Sequence, residues 1–176
     1  MRLPKRLPFA AAALTVFAAA AAWALPPLDT GLGLRWVDIT QEAVKDPFQV
    51  GRTKDGEGIY GCRIVHLRDV EAGKRIGPFG RYCYVGSGGM ERPYSAFQAL
   101  AGRFDGHWVA ATPGVIPENA FRVDGGHGPV VYMCRGAYEG GVHGGMSRGQ
   151  NCMIGWEGDE LQTDEFEVLV PRAKPR

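Results

Sequence analysis

The sequence lacks the excess of positive charge that a nucleic-acid-binding protein needs. It contains 20 lysine and arginine residues against 19 aspartate and glutamate residues, a net charge of +1. Without residues 1–24, which hold three basic and no acidic residues, 17 basic and 19 acidic residues remain. Nucleic-acid binding depends on a concentrated basic face. We therefore expect no nucleic-acid partner.

Most common catalytic and metal-binding motifs are also missing. The chain has no His-Glu-x-x-His and no Cys-x-x-Cys, which are the patterns of common zinc sites. A Gly-x-Ser-x-Gly pattern, which hydrolases use, occurs once, at residues 145–149. Its four histidines are too far apart in the sequence to match a metal-binding motif: His66, His107, His127 and His143. We predict neither a metal nor a cofactor. A glycoside hydrolase with paired carboxylates stays open, because carboxylates are plentiful.

Long apolar runs are absent except at the N-terminus. Three basic residues within the first six precede an alanine-rich segment, and Ala22-Trp23-Ala24 places small residues where a signal peptidase cleaves. This pattern predicts a signal peptide over residues 1–24 and a secreted or periplasmic protein that is free of the membrane after cleavage. The competing interpretation is a membrane anchor, since residues 7–25 approach the length of a bilayer span.

The remainder of the chain is an internal repeat. When the chain is compared with itself at an offset of 72 residues, identical residues occur at positions 36, 37, 60, 62, 63 and 73. At an offset of 69 residues, they occur at positions 80, 83, 86, 89, 91, 97 and 100. One three-residue length difference in a glycine-rich segment reconciles the two offsets. We therefore predict two copies of one unit, residues 35–101 and residues 107–170.

Each copy is predicted to form β-strands. The stretch "GPVVYMCRGAY" alternates between two faces, and "NCMIGW" and "EFEVLV" are short strand-like runs. The 26 glycines interrupt helical patterns. A short helix over residues 95–103 is the one alternative, and its repeat partner "EFEVLV" favours a strand. The prediction is an all-β domain of two tandem, pseudo-symmetric repeats, with or without exchange of strands between them.

Two pairs of cysteines bracket the glycine-rich segments. In an exported protein they are expected to form disulfides, and the simplest pairing is Cys62–Cys83 and Cys134–Cys152. The other two connectivities remain open. We expect the paired cysteines on neighbouring strands, with the glycines turning tightly or approaching another group closely. Each disulfide would contribute roughly 3 kcal/mol by constraining the unfolded chain.

Other recurring side chains are expected to be structural. The tryptophans at the start of equivalent strands are expected in the core, and the strand arginines are expected to bridge the carboxylates of two Gly-x-Glu motifs. These residues are Trp36 and Trp108, Arg63 and Arg135, and Glu91 and Glu160.

Taken together, these motifs resemble a known family. The second copy contains "HWVAATPGVIPENAFRV", "VVYMCRGAYEGGVHGGM", "NCMIGWEGDE" and "EFEVLV"; the first contains "IYGCR", "AGK", "GME" and "FQAL". These runs are similar to the DM9 (DM-nine) repeat, which occurs in small all-β lectins and at one end of natterin-like proteins. The resemblance implies two intertwined repeats that recognise mannose-type sugars. In that family an acidic residue before the Tyr-x-x-Arg strand and the lysine of a Gly-Lys loop hold the sugar.

Residues of the first copy match this pattern. The lysine is Lys74 in "AGK", and Asp55 in "KDGEG" is the nearest acidic residue. An ammonium and a carboxylate at close range suit a sugar hydroxyl, which both donates and accepts, and charge-assisted hydrogen bonds are the stronger kind. The resemblance therefore implies a carbohydrate site formed by Lys74 and Asp55.

The second copy departs from the pattern. Met146 replaces the lysine, with His143 as a polar substitute, and either Asp124 or His127 takes the acidic place. We expect one competent site or two unequal sites. A lectin with one site cross-links glycans only if it oligomerises, for instance as a homodimer.

The function expected from these features is carbohydrate binding by an exported, lectin-like protein with glycans or glycoconjugates as partners. The main alternative is a structural or protein-interaction module of the cell envelope that has lost its sugar site, which the methionine at position 146 favours. A hydrolase of envelope polysaccharide ranks third.

Overall fold

The computed structural model describes residues 29–30, 32–66, 69–125 and 129–172. The predicted signal peptide lies outside these residues. The described chain forms thirteen β-strands, and within it no helix has the length and apolar character that crossing a bilayer requires. The strands are β1 Leu34–Asp38, β2 Gln49–Arg52, β3 Gly58–His66, β4 Asp69–Ile76, β5 Cys83–Ser87, β6 Met90–Tyr94, β7 Gln98–Gly102, β8 Gly106–Ala111, β9 Tyr132–Tyr138, β10 Gly141–Ser147, β11 Cys152–Trp156, β12 Asp159–Thr163 and β13 Phe166–Pro171.

The order of the strands is palindromic. Neighbours in the sheet run β1-β7-β3-β4-β5-β6-β12-β11-β10-β9-β13-β8. Each strand of the first half therefore has its sequence counterpart at the mirrored place in the second half. Strand β2 is the exception, because it pairs with β3 of its own half and with β10 of the other half. The all-β, pseudo-symmetric fold is confirmed.

The two halves meet where β6 pairs with β12. The contacts there are reciprocal: the Gly158 N–H donates to Oε2 of Glu91, and the Gly89 N–H donates to Oε2 of Glu160, both at 3.1 Å. Because these residues correspond at the offset of 69, the same pair of interactions is made twice around a pseudo-twofold axis.

The prediction that the strand arginines bridge the Gly-x-Glu carboxylates is wrong. Arg63 lies over the ring of Trp36 at 4.4 Å, and its Nε donates to Oε1 of Gln98 at 2.6 Å. Arg135 makes the equivalent hydrogen bond to Oε2 of Glu167, also at 2.6 Å. Each arginine is thus held by the strand that follows the Gly-x-Glu hairpin, which leaves the hairpin carboxylates for the contact between the halves.

The disulfides Cys62–Cys83 and Cys134–Cys152 are confirmed, each with a Cα–Cα distance of 5.9 Å. Their strands are not neighbours, contrary to expectation. Strand β4 lies between β3 and β5, and β10 lies between β9 and β11. Two steps across a flat sheet would separate Cα atoms by about 9.5 Å. Each three-strand ribbon is therefore curled around its middle strand.

Glycine on the middle strand makes this curl sterically feasible. Gly73 pairs with Cys62, and a Cβ at Gly73 would overlap the carbonyl oxygen of Tyr84. Gly145 is the counterpart in β10, where a Cβ would overlap the carbonyl oxygen of Met153. The predicted close approach of these glycines is thus made to the adjacent strand.

The larger hydrophobic cluster contains side chains from both halves, including Trp36, Leu100, Met133 and Leu169. A second cluster surrounds the disulfide Cys134–Cys152. Trp36 is 1% exposed, as predicted for a core residue, whereas Trp108, which was expected there too, is only partly buried and packs against this cluster. Because one cluster spans the pseudo-twofold axis, neither half buries its apolar face without the other.

Candidate functional site

Lys74 lies in β4 with its side chain turned toward the junction of the two halves. The residue is 1% exposed. Its ammonium donates to the carbonyl of Gly155 in β11, and it lies 3.7 Å from Oε1 of Glu91. Burial lowers the pKa of Lys74 to about 8, while the charge of Glu91 and its hydrogen bond act in the opposite direction. The lysine therefore joins a carboxylate of its own half to the main chain of the other.

An aromatic group completes this arrangement. The Lys74 ammonium lies 4.8 Å from the ring centroid of Trp156. The imidazole of His143 meets the same indole edge-on, with centroids 4.5 Å apart, and the Tyr138 ring lies 5.9 Å away. We call Lys74, Glu91, Tyr138, His143 and Trp156 the junction site. Its members come from β4, β6, β9, β10 and β11, so both halves must fold to assemble it.

His143 is neutral at physiological pH. It is 1% exposed, and burial, followed by the charge of Lys74, lowers its pKa to about 4 against the opposing effect of a hydrogen bond with the Tyr138 backbone. Among the described residues, Nδ1 of His143 and Nε1 of Trp156 are buried without a hydrogen-bond partner. The junction site therefore holds two ring nitrogens whose hydrogen-bonding capacity the protein leaves unused.

The predicted residues of the first copy separate. Lys74 is in the junction site, but Asp55 is an exposed residue of the turn between β2 and β3. The carboxylate beside Lys74 is that of Glu91. The sequence predicts that Glu91 pairs with a strand arginine. The feature that could have identified Glu91 as a site residue is its place in the Gly-x-Glu motif of the family pattern.

The predicted residues of the second copy also separate. His143 is buried against Trp156 in the junction site. Asp124 is buried elsewhere, where it accepts from Arg122 at 2.5 Å and from the Val131 N–H at 3.4 Å. His127 lies outside the described residues.

The mirrored location lacks the chemistry of the junction site. Met146 pairs with Met133 as Lys74 pairs with Gly61, so Met146, and not His143, occupies the strand position of the lysine. At the counterparts of the tryptophan and the histidine, the Ser87 hydroxyl donates to Glu71. At the mirrored location the thioether of Met146 therefore replaces the lysine ammonium. A serine that is hydrogen-bonded to Glu71 replaces the indole.

Trp156 and Tyr138 were missed because nothing in the sequence brings them near Lys74. Trp156 aligns with a serine and Tyr138 with a histidine at the repeat offsets. Departure from the internal repeat was the signal that could have identified them, since an aromatic residue that only one copy carries is not required by the shared fold.

Two surface clefts have linings that include none of the junction-site residues. One, of about 360 Å³, is lined by residues that include Trp36 and Phe121. The other, of about 410 Å³, is lined by residues that include Arg135, Phe166 and Glu167. No group of three or more potential metal ligands occurs in the described parts of the chain.

Comparison with known families identifies a repeat family that matches this chain. The family model of the DM9 repeat matches residues 53–147, which is 95 residues and more than half of the chain. The match includes Lys74, Glu91 and His143 and ends before Trp156. A search of the curated proteins found no match.

Proposed function

We propose that this chain, which belongs to the DM9 repeat family, is an exported protein that binds mannose-type glycans at a single site. The DM9 repeat is a carbohydrate-binding module. The observation that carries the proposal is the junction site, where a lysine, a carboxylate and an indole lie together at one of two pseudo-equivalent locations.

Glu91 and Trp156 are the groups that a sugar reaches first. The Glu91 side chain is 12% exposed and Trp156 is partly buried, whereas Lys74 lies beneath them at 1% exposure. Lys74 and the Gly158 N–H hold the two carboxylate oxygens of Glu91. Each oxygen retains acceptor capacity for a sugar hydroxyl, and the indole offers an apolar surface to the C–H groups of the ring.

The charge balance of the site favours a neutral ligand. The unpartnered ring nitrogens of His143 and Trp156 are buried, so the Glu91 carboxylate and the exposed part of the indole are the groups that meet the sugar. Lys74 is already balanced by Glu91, so the site carries no uncompensated positive charge that would select an acidic sugar.

Recognition without turnover suits these groups better than hydrolysis. Glycosidases use two carboxylates that flank the scissile bond, while the carboxylate of the junction site is engaged by an ammonium. Met146 in place of the second lysine makes the protein univalent under this proposal. Cross-linking of glycans would then depend on a homodimer.

Export is the second part of the proposal. Two disulfides are typical of an oxidising compartment, which agrees with the predicted signal peptide over residues 1–24. We propose a secreted or periplasmic location for residues 25–176.

A glycan array with oxidised residues 25–176 tests the proposal through a matched pair of variants. Glu91 and Glu160 each accept a glycine N–H of the other half at 3.1 Å, so Glu91→Gln and Glu160→Gln alter the same contact between the halves. Only Glu91 neighbours Lys74. A hydrogen bond to a charged group contributes about 1.5–3 kcal/mol, so we expect Glu91→Gln to weaken mannose-type binding by about tenfold to a hundredfold and Glu160→Gln to leave it unchanged.

The contradicting results are equally specific. Equal behaviour of the two variants would place the sugar away from the junction site. Absence of binding to any glycan by the folded protein would favour the interaction module. Release of product from labelled glycan would favour the hydrolase.

A further inference from the structure

Both halves of the fold contain the same stacked cluster of three side chains. In each, an arginine lies over a tryptophan ring and donates from Nε to a side chain of the following strand. The first-half cluster is Trp36, Arg63 and Gln98, and the second-half cluster is Trp108, Arg135 and Glu167. The guanidinium-to-ring distances are 4.4 and 4.3 Å, and both hydrogen bonds are 2.6 Å.

The first-half cluster is covered by an extended segment, residues 121–123. The Phe121 ring is stacked with that of Trp36, with centroids 6.3 Å apart and planes at 27°. Two residues later, the carbonyl of Val123 accepts from Nη1 of Arg63 at 2.6 Å. Arg63 is 0% exposed as a result. An aromatic side chain and a main-chain carbonyl two positions apart are therefore the groups that this cluster binds.

The second-half cluster is open. The side chains of Arg135 and Glu167 are 25% and 40% exposed, and Trp108 is partly buried. The sequence counterpart of residues 121–124 is β2, which instead pairs with β10 through Arg52 and Val142. Among the described residues, the Arg135 guanidinium hydrogen-bonds to Glu167 alone.

The surface beside this open cluster is hollow. The cleft of about 410 Å³ is lined by Arg135, Glu167 and residues of four strands. Two of its lining residues, Ala110 and Ala137, stand where the first half has an aspartate and a valine, at positions 38 and 65. Both alanines lie two residues from a member of the cluster, on the same face of their strands. The second half therefore has smaller side chains than the first half at these two positions.

We propose that this open cluster and its cleft dock an extended peptide segment of a partner protein. An aromatic side chain of the segment packs toward Trp108, and a main-chain carbonyl two residues later accepts from Arg135. Glu165 lines the cleft beside Glu167, which is already paired with Arg135, so the segment carries a basic residue that faces Glu165, near the aromatic one. We expect the partner segment to bind as residues 121–123 bind the first-half cluster.

A peptide fits this surface better than a sugar. The guanidinium of Arg135 lies over one face of the Trp108 ring at 4.3 Å, and the group that binds the equivalent guanidinium of the first half is a main-chain carbonyl. A carbonyl in the plane of the guanidinium leaves this stack intact, as the carbonyl of Val123 does in the first half.

The test uses a labelled, end-blocked peptide of residues 117–123, "PENAFRV", titrated with oxidised residues 25–176 by fluorescence anisotropy. The key variant is Ala137→Val, which installs the first-half residue, and its matched control is Val65→Ala at the counterpart position. We expect saturable binding below 1 mM, weakened about tenfold or more by Ala137→Val, by Arg135→Gln and by phenylalanine-to-alanine replacement in the peptide. Val65→Ala retains binding.

Two outcomes overturn the proposal. One is an absence of peptide binding at 1 mM to the wild-type protein; the other is binding that Ala137→Val and Arg135→Gln leave unchanged. A glycan bound by the wild type and lost in Ala137→Val would make the cleft a sugar site and would overturn it as well. Glu91→Gln separates this surface from the junction site, because it is expected to leave peptide affinity unchanged.

Discussion

Protonation of His143 should destabilise the protein in mild acid. The imidazole is buried beside the Lys74 ammonium and the Trp156 indole, which lowers its pKa from 6.5 to about 4. The unfolded chain therefore binds the proton at a higher pH than the folded chain does. The stability that follows from this difference is fully present above pH 6.5 and is lost as the pH falls through about 4.

The lowered pKa sets the magnitude. One pKa unit corresponds to about 1.36 kcal/mol, so we expect His143 alone to account for a loss of about 3 kcal/mol in the free energy of unfolding between pH 7 and pH 4. Carboxylates also titrate in this range. A comparison with His143→Gln isolates the contribution of the histidine.

Urea unfolding at pH 7, 5.5 and 4 measures this contribution. We expect the loss of stability between pH 7 and pH 4 to be about 3 kcal/mol smaller in His143→Gln than in the wild type. His107→Gln is the control, because His107 is exposed, and it should follow the wild type. Equal losses in all three proteins, or an NMR titration of His143 with a midpoint near 6.5, would refute the reasoning.

Three further predictions follow from the fold and its buried polar groups. Gly73→Ala or Gly145→Ala should destabilise the protein by about 1–3 kcal/mol or more, since each Cβ would overlap a carbonyl oxygen; an unchanged thermal midpoint would contradict the curled ribbon. Replacing both Cys134 and Cys152 by serine should lower stability by roughly 3 kcal/mol, measured by urea unfolding, and a change near zero would mean that the second half does not depend on its disulfide. Asp124→Asn should cost about 1–3 kcal/mol while glycan binding by the folded variant is retained, because this buried carboxylate pairs with an arginine outside the junction site.

Local pattern was enough to predict the strands and the repeat. Alternating polarity and the offsets of 72 and 69 located units whose strands are indeed counterparts in a palindromic sheet. The placement of the cysteines was less accessible. Their strands flank a third strand. The ribbon can curl far enough to bring the cysteines together only because the residue at position 73 or 145 of that middle strand is a glycine. Sequence spacing indicated that the cysteines pair but not that a strand separates them.

The junction site could be predicted only in part, because two halves build it. Lys74 followed from the family pattern, but Asp55, its nearest acidic residue in sequence, is exposed in a turn. Glu91 takes the place beside the lysine because the β6 hairpin docks on β12. Trp156 and His143 approach from the other half, through contacts that no local pattern encodes.

The most direct test of the account is an NMR titration that follows the indole N–H signals of the tryptophans as a bound glycan is added. The indole of Trp156 has no hydrogen-bond partner among the described residues and lies 4.8 Å from the Lys74 ammonium. We predict that its signal shifts saturably with mannose-type glycan and that the signal of Trp108 does not. A saturable shift at Trp108 with none at Trp156 would place the sugar in the cleft of the second half and contradict the central claim.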